Sequence, residues 1–549
     1  MNASPDPPGS ARAQTLAAFL WTHHRRRLVF LCALVFSSSL GHAGLIVAVA
    51  WGLGNAAFQA WLADNVTLAV ATAAIVFGLK AGAAVVAVRL GESVVSELRE
   101  RLTARIAQSR LATVRSVGEP RIRTAFTADT NSVGAGIAAA AIVAQGVMIV
   151  LACFLALLLV DVAAAAVPIL IVAVGTMAVK AREEEVRHAM EAALAVEDTL
   201  TRRLAALFSA AEDLRLNALR RRDFGVAGLS PALRGSERMR IIAGVTASDQ
   251  VLVFFVAVYF LTGSAFVLSA VGSVVTAVFV VAVLFQLLDR LEFTMLNNPV
   301  LEYAGTALRR LAALEEDLRG DTVVVAPPRG AFRRLTFEGI AFRYPGEKRD
   351  DDTVGPIDLE IESGDIVLVT GGNGAGKSTL LRLLCGLETP TAGVVRVDGR
   401  PIAPQNLSSL FSTVFTDFHL FRQPYGLDEL GRRDLARWID RLGLRTKVRF
   451  DGETMGPIGL SRGQRKRLAL AVALAERRPI LLLDEWTADQ APEFRRRFFS
   501  YLLPAFKAEG RTVIAVTHDD RHFSDCDVHL HLEGGRIASL TRPTVAARE

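Results

Sequence analysis

Six long stretches that are almost free of charge most constrain what this chain can fold into. Each is close to the roughly 20 residues that a helix needs to cross a bilayer. In chain order they are residues 28–53, 66–88, 133–160, 162–179, 251–268 and 271–288. The sequence therefore predicts six transmembrane helices. Buried helices of a large soluble protein are the alternative, but several of these stretches exceed the usual length of such helices.

Basic residues predict the orientation of these helices. Residues 89–135 contain eight arginines and residues 180–240 contain twelve lysines or arginines, whereas residues 54–65 and 263–270 contain neither. Because cytoplasmic loops carry the excess of lysine and arginine, both basic stretches and the N-terminus are predicted to be cytoplasmic. The net charge of +6 is then explained by the basic residues of cytoplasmic loops, and no nucleic-acid partner is expected. We expect a multi-pass protein in a bacterial-type inner (plasma) membrane, surrounded by lipids.

Changes in composition divide the chain into domains. The basic stretches are too long for simple turns, so the membrane helices are predicted to continue past the bilayer, with reversals in residues 116–126 and 211–224 that face the second domain. Paired prolines mark residues 321–330 as a linker. The predicted architecture is an α-helical membrane domain of six transmembrane helices over 1–320, joined to an α/β P-loop nucleotide-binding domain over 331–549, where strands alternate with helices.

A glycine-rich turn lies early in the second domain, between the apolar stretch 365–370 and a helical stretch. A strand, a glycine-rich turn and a helix form a phosphate cradle, because backbone N–H groups can approach phosphate oxygens and the helix directs its positive end at them. Lys377 is predicted to reach the β- and γ-phosphates of ATP, and Ser378 to hold Mg²⁺. The other residues predicted to bind the nucleotide here are Gly371, Asn373, Gly374, Gly376 and Thr379.

Two carboxylates follow the apolar strand predicted at 479–483. The carboxyl edge of such a strand is where ligands bind. Asp484 is predicted to be a ligand of Mg²⁺, and Glu485 the general base that polarises the attacking water. His518 ends the next predicted strand and is expected to contact the γ-phosphate. ATP and Mg²⁺ are thus the predicted cofactors.

The segment Leu-Ser-Arg-Gly-Gln at 460–464 precedes a helical stretch. With it the chain resembles the ATP-binding cassette (ABC) family, whose signature is Leu-Ser-Gly-Gly-Gln; Arg462 replaces the first glycine. The resemblance implies that Ser461, Gly463 and Gln464 bind ATP held by the P-loop of another cassette. It also implies that Tyr344 stacks on adenine; the alternative for this tyrosine is a strand aromatic packed in the core.

Two positions depart from the family pattern. Thr416 stands where the family has the glutamine of its Q-loop, and Ala491 stands where it has an aspartate in the D-loop, with Asp489 nearby. Threonine is too short to reach Mg²⁺ as an amide carbonyl would, so a bridging water or Asp417 is the expected substitute. We expect the changes at Thr416 and Ala491 to affect the coupling between two ATP sites more than ATP hydrolysis itself.

Several segments together narrow the resemblance. Residues 411–421, 463–468, 484–490 and 517–520 resemble the ABC branch that exports cyclic peptides and peptide siderophores, relatives of the pyoverdine and syringomycin transporters. This implies an ATP-hydrolysing exporter of a peptide-derived natural product, with a small peptide-like or lipophilic substrate. Because one chain has one cassette, a homodimer is the simplest assembly. A lipid or multidrug exporter is one alternative, and a membrane-anchored regulatory ATPase without transport is another.

Charged residues within the apolar stretches are the candidates for a substrate path. Lys80 lies in the second predicted span, where a charge costs about 2.5–3.5 kcal/mol on insertion scales. It therefore faces protein, water or a ligand, or else snorkels to the inner interface. Asp249 near the fifth span is a similar candidate. Neither residue identifies the substrate.

Overall fold

A computed structural model describes residues 16–52, 56–160, 162–269, 274–319, 331–343, 353–456, 459–517 and 526–543. The chain forms two compact units. The first contains residues 1–103 and 120–316, and the second contains residues 104–119 and 317–549. The predicted linker at 321–330 lies outside the described residues.

Long helices make up the first unit. Up to residue 319 the helices are α1 Leu16–Gly52, α2 Ala56–Asp64, α3 Val66–Gln108, α4 Leu111–Val117, α5 Glu119–Thr124, α6 Thr130–Val160, α7 Val162–Ser209, α8 Ala211–Leu216, α9 Ala218–Asp223, α10 Ser230–Ser269 and α11 Val274–Arg319. Short π-helical segments, Ala125–Asp129 and Phe224–Leu229, precede α6 and α10. Among these, α1, α3, α6, α7, α10 and α11 contain between 31 and 48 residues and are longer than a bilayer is thick.

Among the described residues, three helical segments are long and apolar enough to cross a membrane. They are Ala18–Val49, Val66–Gln108 and Glu119–Ala152, and they contain most of the first three predicted spans. The other three predicted spans fall in α7, α10 and α11, apart from residues 271–273 outside the described part. The count of six therefore stays a prediction. On α3, Phe77 is 73 % exposed, which suits a lipid-facing side chain, and Lys80 is half-buried.

Small residues let the helices of the first unit approach closely. A methyl group added at Gly91 on α3 would lie 2.8 Å from the Gly134 carbonyl oxygen on α6. One added at Gly136 would lie 2.2 Å from the Ala304 side chain on α11. Small residues at crossings are typical of membrane helices, because packing replaces the hydrophobic driving force that water provides.

The two predicted chain reversals are both confirmed. After α4 the chain turns at Gly118, whose φ of 84° suits a residue without a Cβ atom, and α5 begins at once. The second reversal separates α8 from α9 at Asn217. The Asn217 side chain caps α9 by accepting a hydrogen bond of 3.0 Å from the backbone N–H of Arg220.

Residues 104–119 belong to the second unit, although they continue the chain from α3. The Ser109 hydroxyl donates to the carbonyl oxygen of Leu318 at 3.1 Å. On α4, Arg115 pairs with Glu388 at 3.5 Å, and the Glu388 side chain is only 4 % exposed. Within the second unit, residues 104–119 therefore contact the α/β part through a buried carboxylate.

Three sheets form the rest of the second unit. The strands are β1 Arg334–Arg343, β2 Thr353–Glu362, β3 Ile366–Gly371, β4 Ala392–Val397, β5 Arg400–Pro401, β6 Phe411–Val414, β7 Arg449–Phe450, β8 Met455–Gly456, β9 Ile480–Leu483, β10 Thr512–Val516, β11 Val528–Glu533 and β12 Arg536–Thr541. The helices are α12 Lys377–Leu384, α13 Pro404–Leu407, α14 Glu429–Arg441, α15 Arg462–Ala475, α16 Pro492–Arg497 and α17 Leu503–Ala508.

The six-stranded sheet has the order β12-β11-β3-β10-β9-β6. Its strands pair in parallel except for the antiparallel edge strand β12. A four-stranded antiparallel sheet has the order β2-β1-β4-β5, and β7 pairs with β8. Strands β9 and β10 are fully buried. Because both faces of such parallel strands are covered, their sequences are continuously apolar. The predicted α/β fold is thus confirmed.

The packing of β3 shows that the parallel sheet is covered on both faces. Val367 and Val369 belong to one apolar cluster, and Ile366 and Leu368 belong to another. Since alternate side chains of a strand point to opposite faces, each face carries its own core. The carboxyl ends of β3 and β9 meet at one edge of this sheet, and the predicted nucleotide residues follow them there.

Candidate nucleotide-binding site

The glycine-rich turn connects β3 to α12 in conformations that require glycine. Gly371 ends β3 with a φ of 148°, and a Cβ atom there would lie 2.3 Å from the Leu532 carbonyl oxygen. Gly376 precedes α12 in the left-handed region with a φ of 91°. These backbone positions form the predicted cradle, with backbone N–H groups free of side-chain obstruction. Asn373 and Gly374 lie in the exposed middle of the turn, and Thr379 is buried in the first turn of α12.

Lys377 lies across this turn. Its ammonium donates hydrogen bonds of 2.9 Å to the carbonyl oxygens of both Gly371 and Gly372. The side chain is buried, so the loop fixes its position. A buried ammonium at the N-terminus of a helix is placed to bind the phosphates of a nucleotide.

Asp484 and Ser378 lie together at the end of β9. The Ser378 hydroxyl is 3.4 Å from the Asp484 carboxylate, which is buried. Burial raises the pKa of Asp484, while hydrogen bonds from Thr416 and Ser378 act in the opposite direction. An ionised carboxylate in such a place is costly without a cation. Hard oxygen ligands of this kind, completed by phosphate oxygens, fit Mg²⁺.

Thr416 contacts Asp484 from the side of β6. Its hydroxyl donates to the Asp484 carbonyl oxygen at 3.4 Å. The Asp484 backbone N–H donates to the Val414 carbonyl oxygen at 2.9 Å. Thr416 therefore lies next to the predicted metal ligand, and the neighbouring Asp417 is exposed.

Glu485 adopts a left-handed backbone conformation, with φ 47° and ψ 36°. For a residue other than glycine this conformation costs on the order of 1–2 kcal/mol. It persists where the surrounding structure enforces it, often at functional sites. Its carbonyl oxygen accepts a hydrogen bond of 2.8 Å from the ammonium of Lys466 on α15. The candidate general base thus has a constrained backbone.

The signature residues form the N-terminus of α15. Ser461 caps this helix: its hydroxyl accepts from the Gln464 N–H at 3.3 Å, and the Gln464 side chain accepts from the Ser461 N–H at 3.0 Å. This is a reciprocal capping box. Ser461 is exposed, so the positive end of a 14-residue helix faces solvent, where it can bind an anion.

Arg462 and Gly463 contact the loop that follows Glu485. Arg462 pairs with Asp489 at 3.3 Å. The Gly463 carbonyl oxygen accepts a hydrogen bond of 3.1 Å from the Gln490 side chain. A methyl group at Gly463 would lie 2.4 Å from the Asp489 carbonyl oxygen. The signature therefore accommodates an arginine at its first glycine position, whereas the second has no room for a side chain.

We expect Gly463→Ala to displace the loop at 486–490, because the added methyl group overlaps a backbone oxygen that cannot rotate away. Overpacking of this kind typically costs about 1–3 kcal/mol. ATP turnover should fall, and the melting temperature should fall by a few degrees. Arg462→Ala is the matched control for melting temperature, since it removes a largely exposed side chain. A Gly463→Ala protein with the melting temperature and turnover of the parent would contradict this reading.

The structure brings the predicted residues into two groups. Lys377, Ser378, Thr416 and Asp484 lie at one edge of the sheet. The signature residues hydrogen-bond to one another and to Gln490, and Arg462 forms an ion pair with Asp489. Tyr344 and His518 lie outside the described residues, and their roles stay predictions.

Lys466 is a residue of this site that sequence reasoning missed. It is 1 % exposed and contacts both Glu485 and Asp489. The available signal was a lysine on the apolar helix just after the signature, where a buried cation needs a partner.

Comparisons with known proteins match both parts of the chain. The family model described as "ABC transporter" matches residues 354–488. The ATP-binding protein SyrD of Pseudomonas syringae pv. syringae is 33 % identical over 365 residues, 62 % of this chain and 64 % of SyrD; the chain thus spans less than two thirds of SyrD. The energy-coupling factor transporter ATP-binding protein EcfA1 of Thermotoga maritima is 34 % identical over 218 residues, which are 37 % of this chain and 80 % of EcfA1.

A solved structure has a similar fold over nearly the whole chain. It is a bacterial Atm1-family ABC exporter with ATP bound, with a TM-score of 0.75, 21 % identity, and coverage of 95 % of this chain and 96 % of that one. At this identity the likeness concerns the fold. Together with the cradle at 371–379, the carboxylates after β9 and the signature before α15, these matches show that the chain belongs to the ABC transporter family and joins that family's ATPase domain to helices with an exporter fold.

Proposed function

We propose that the protein is an ATP-driven exporter that moves a peptide-derived natural product, such as a cyclic peptide or siderophore precursor, out of the cytoplasm across the inner membrane. The main observation in favour of ATP hydrolysis is the buried Asp484 carboxylate, which lies 3.4 Å from the Ser378 hydroxyl. Lys377, which follows the same turn, is held by hydrogen bonds to Gly371 and Gly372. Support for a peptide substrate comes from the resemblance of residues 411–421 and 484–490 to peptide exporters.

Each residue of the nucleotide site has a distinct task in this proposal. Lys377 binds the β- and γ-phosphates, and Ser378 and Asp484 hold Mg²⁺. The bound ion would neutralise developing charge on the phosphate oxygens. Glu485 accepts a proton from the attacking water. His518 contacts the γ-phosphate and Tyr344 stacks on adenine.

Two copies of the chain complete each site. The signature of one copy, through Ser461, Gly463 and Gln464, binds the γ-phosphate of ATP on the P-loop of the other. The exposed N-terminus of α15 supports this assignment, because its dipole attracts a phosphate. ATP then joins the two cassettes, and hydrolysis lets them separate. Because each chain has both a P-loop and a signature, two identical copies can form two complete ATP sites.

The pair formed by Arg115 and Glu388 is proposed to couple the cassette to the membrane helices. Arg115 lies on α4, which follows α3 in the chain, and Glu388 is buried. Removing one partner of a buried pair leaves an uncompensated charge. Opening and closing of the cassettes would pull on α3 through this contact and switch the membrane part between inward- and outward-facing states.

We expect Glu388→Gln to separate hydrolysis from transport. The glutamine keeps the shape of the side chain and removes the charge that pairs with Arg115. Substrate transport per ATP hydrolysed should fall about 5-fold or more, the usual size of a coupling energy, while basal ATPase stays close to the parent value. Glu338→Gln is the matched control, since Glu338 pairs with Arg396 on the cassette surface, where such pairs contribute little. Unchanged transport in Glu388→Gln would rule out this coupling role.

Transport itself is tested in two steps. Secreted and retained small molecules are compared between a deletion strain and its parent, and the molecule that accumulates inside is purified. Inside-out vesicles are then tested for its ATP-dependent uptake, with Glu485→Gln as the inactive control. Uptake of a peptide supports the proposal. Uptake of lipids or dyes alone favours a lipid or multidrug exporter, and ATPase activity without any uptake favours a regulatory ATPase.

A further inference from the structure

Lys466 is a buried cation in the second turn of α15, and it has two firm contacts. Its ammonium lies 2.7 Å from the Asp489 carboxylate and 2.8 Å from the Glu485 carbonyl oxygen. The side chain is 1 % exposed, and lysine is almost never buried so completely unless it is paired. The backbone carbonyl of Lys466 also accepts a hydrogen bond of 2.9 Å from the indole of Trp486.

Asp489 joins this lysine to the signature. The same carboxylate oxygen that contacts Lys466 lies 3.3 Å from the guanidinium of Arg462. The hydrogen bond from Lys466 is the main cause of a lowered pKa at Asp489, so its carboxylate stays ionised at neutral pH. The loop after β9 therefore contacts α15 at two places. Asp489 pairs with Arg462 in the first turn of the helix and with Lys466 in the second.

We propose that Lys466 is a positioning residue for the general base Glu485, and that the chain from Arg462 through Asp489 to Lys466 links the two ATP sites of the dimer. This rests on the proposed function, because only in a dimer does the signature of a chain act at one site while its Glu485 acts at the other. Engagement of ATP by the signature would then be transmitted to the backbone of Glu485, which is held in a left-handed conformation.

The chemistry of this segment supports the proposal. Ala491 stands where the family has the D-loop aspartate, so the usual carboxylate at that position is missing. Asp489, two residues earlier, supplies a carboxylate that faces inward to Lys466 and Arg462. Because the Lys466 side chain is 1 % exposed, its ammonium cannot exchange the Asp489 contact for water at low cost, and this fixes its position.

The test uses full-length protein in lipid nanodiscs, with Lys466→Met and Lys466→Gln. Met fills the space but provides neither charge nor donor, whereas Gln keeps a donor for the Glu485 carbonyl. We expect Lys466→Met to lower kcat for ATP at least about 10-fold, less than the roughly 100-fold or more that loss of the general base itself should cost. Its KM and its affinity for a fluorescent ATP analogue should stay near the parent values, and its Hill coefficient should fall towards one. Lys466→Gln should recover part of kcat.

Arg467→Met is the matched control, because it removes the next basic residue of α15. Arg467 donates to the Leu442 carbonyl oxygen at 3.2 Å and lies over the Phe494 ring at 4.6 Å. It should lower the melting temperature and leave kcat close to the parent value. A parent-like kcat in Lys466→Met, or an equal loss in Arg467→Met, would overturn the positioning role. The proposed function is judged separately, by the parent's own turnover and by Glu485→Gln.

Discussion

Replacing Glu485 by glutamine is expected to lower ATP turnover by at least about 100-fold, because general-base catalysis typically contributes that much. Glutamine has the same shape and keeps the backbone contact to Lys466, so the left-handed conformation of residue 485 should persist. In the proposed site Lys377 and the glycine-rich turn bind the nucleotide, so binding should be retained. The variant should therefore hold ATP and accumulate as the closed dimer.

The measurement is single-turnover ATP hydrolysis together with the affinity for ATP. Glu493→Gln is the matched control, since it removes an exposed carboxylate eight residues further on, in α16, and should hydrolyse ATP at the parent rate. Undiminished hydrolysis in Glu485→Gln would remove this residue from the role of base. Loss of ATP binding would show instead that the substitution damages the cradle.

Asp484→Asn is expected to abolish turnover and to stabilise the nucleotide-free protein. Burial raises the pKa of this carboxyl above its ordinary value of 3.8, so ionising it in the folded state costs free energy. Asparagine removes that cost, which should raise the melting temperature by a few degrees if the gain is about 1 kcal/mol. The same change removes a proposed ligand of Mg²⁺, so hydrolysis should fall about 100-fold or more.

The pH dependence of melting follows from the direction of this shift. A carboxyl with a raised folded pKa favours the folded state most at low pH, and this contribution is lost as pH rises from 3.8 through the higher folded value. The parent without nucleotide should lose this part of its stability in that window, and Asp484→Asn should not. Mg²⁺ with ATP should raise the melting temperature of the parent far more than that of the variant. Equal melting curves and retained turnover would contradict the assignment.

The positions of Lys377, Ser378 and Asp484 in the fold could be predicted from sequence because each residue belongs to a local motif next to an apolar strand. The carboxyl ends of parallel strands meet at one edge, and that rule alone brings Ser378 on α12 close to Asp484 after β9. Thr416 was predicted at the same site, and the structure adds that it contacts Asp484 directly. The reversal at Gly118 was likewise predictable, since glycine and proline mark it in the sequence.

Other features depend on contacts between distant segments, and sequence patterns do not contain them. Lys466 meets Glu485 and Asp489 only because the loop after β9 returns to α15. The membership of residues 104–119 in the second unit depends on where α3 ends and on the buried Glu388. The side-chain contact of Arg462 with Asp489 could not be predicted from the sequence either.

Pairs of differently tagged chains, purified as mixed dimers, test the shared ATP site most directly. When Lys377→Met is on one chain and Ser461→Arg is on the other, one site keeps an intact P-loop and an intact signature, so ATPase should persist. When both substitutions are on one chain beside an unaltered partner, each site lacks one part, and ATPase should fall to background. The opposite pattern, with activity only in the second pair, would mean that each chain hydrolyses ATP alone and would contradict the account.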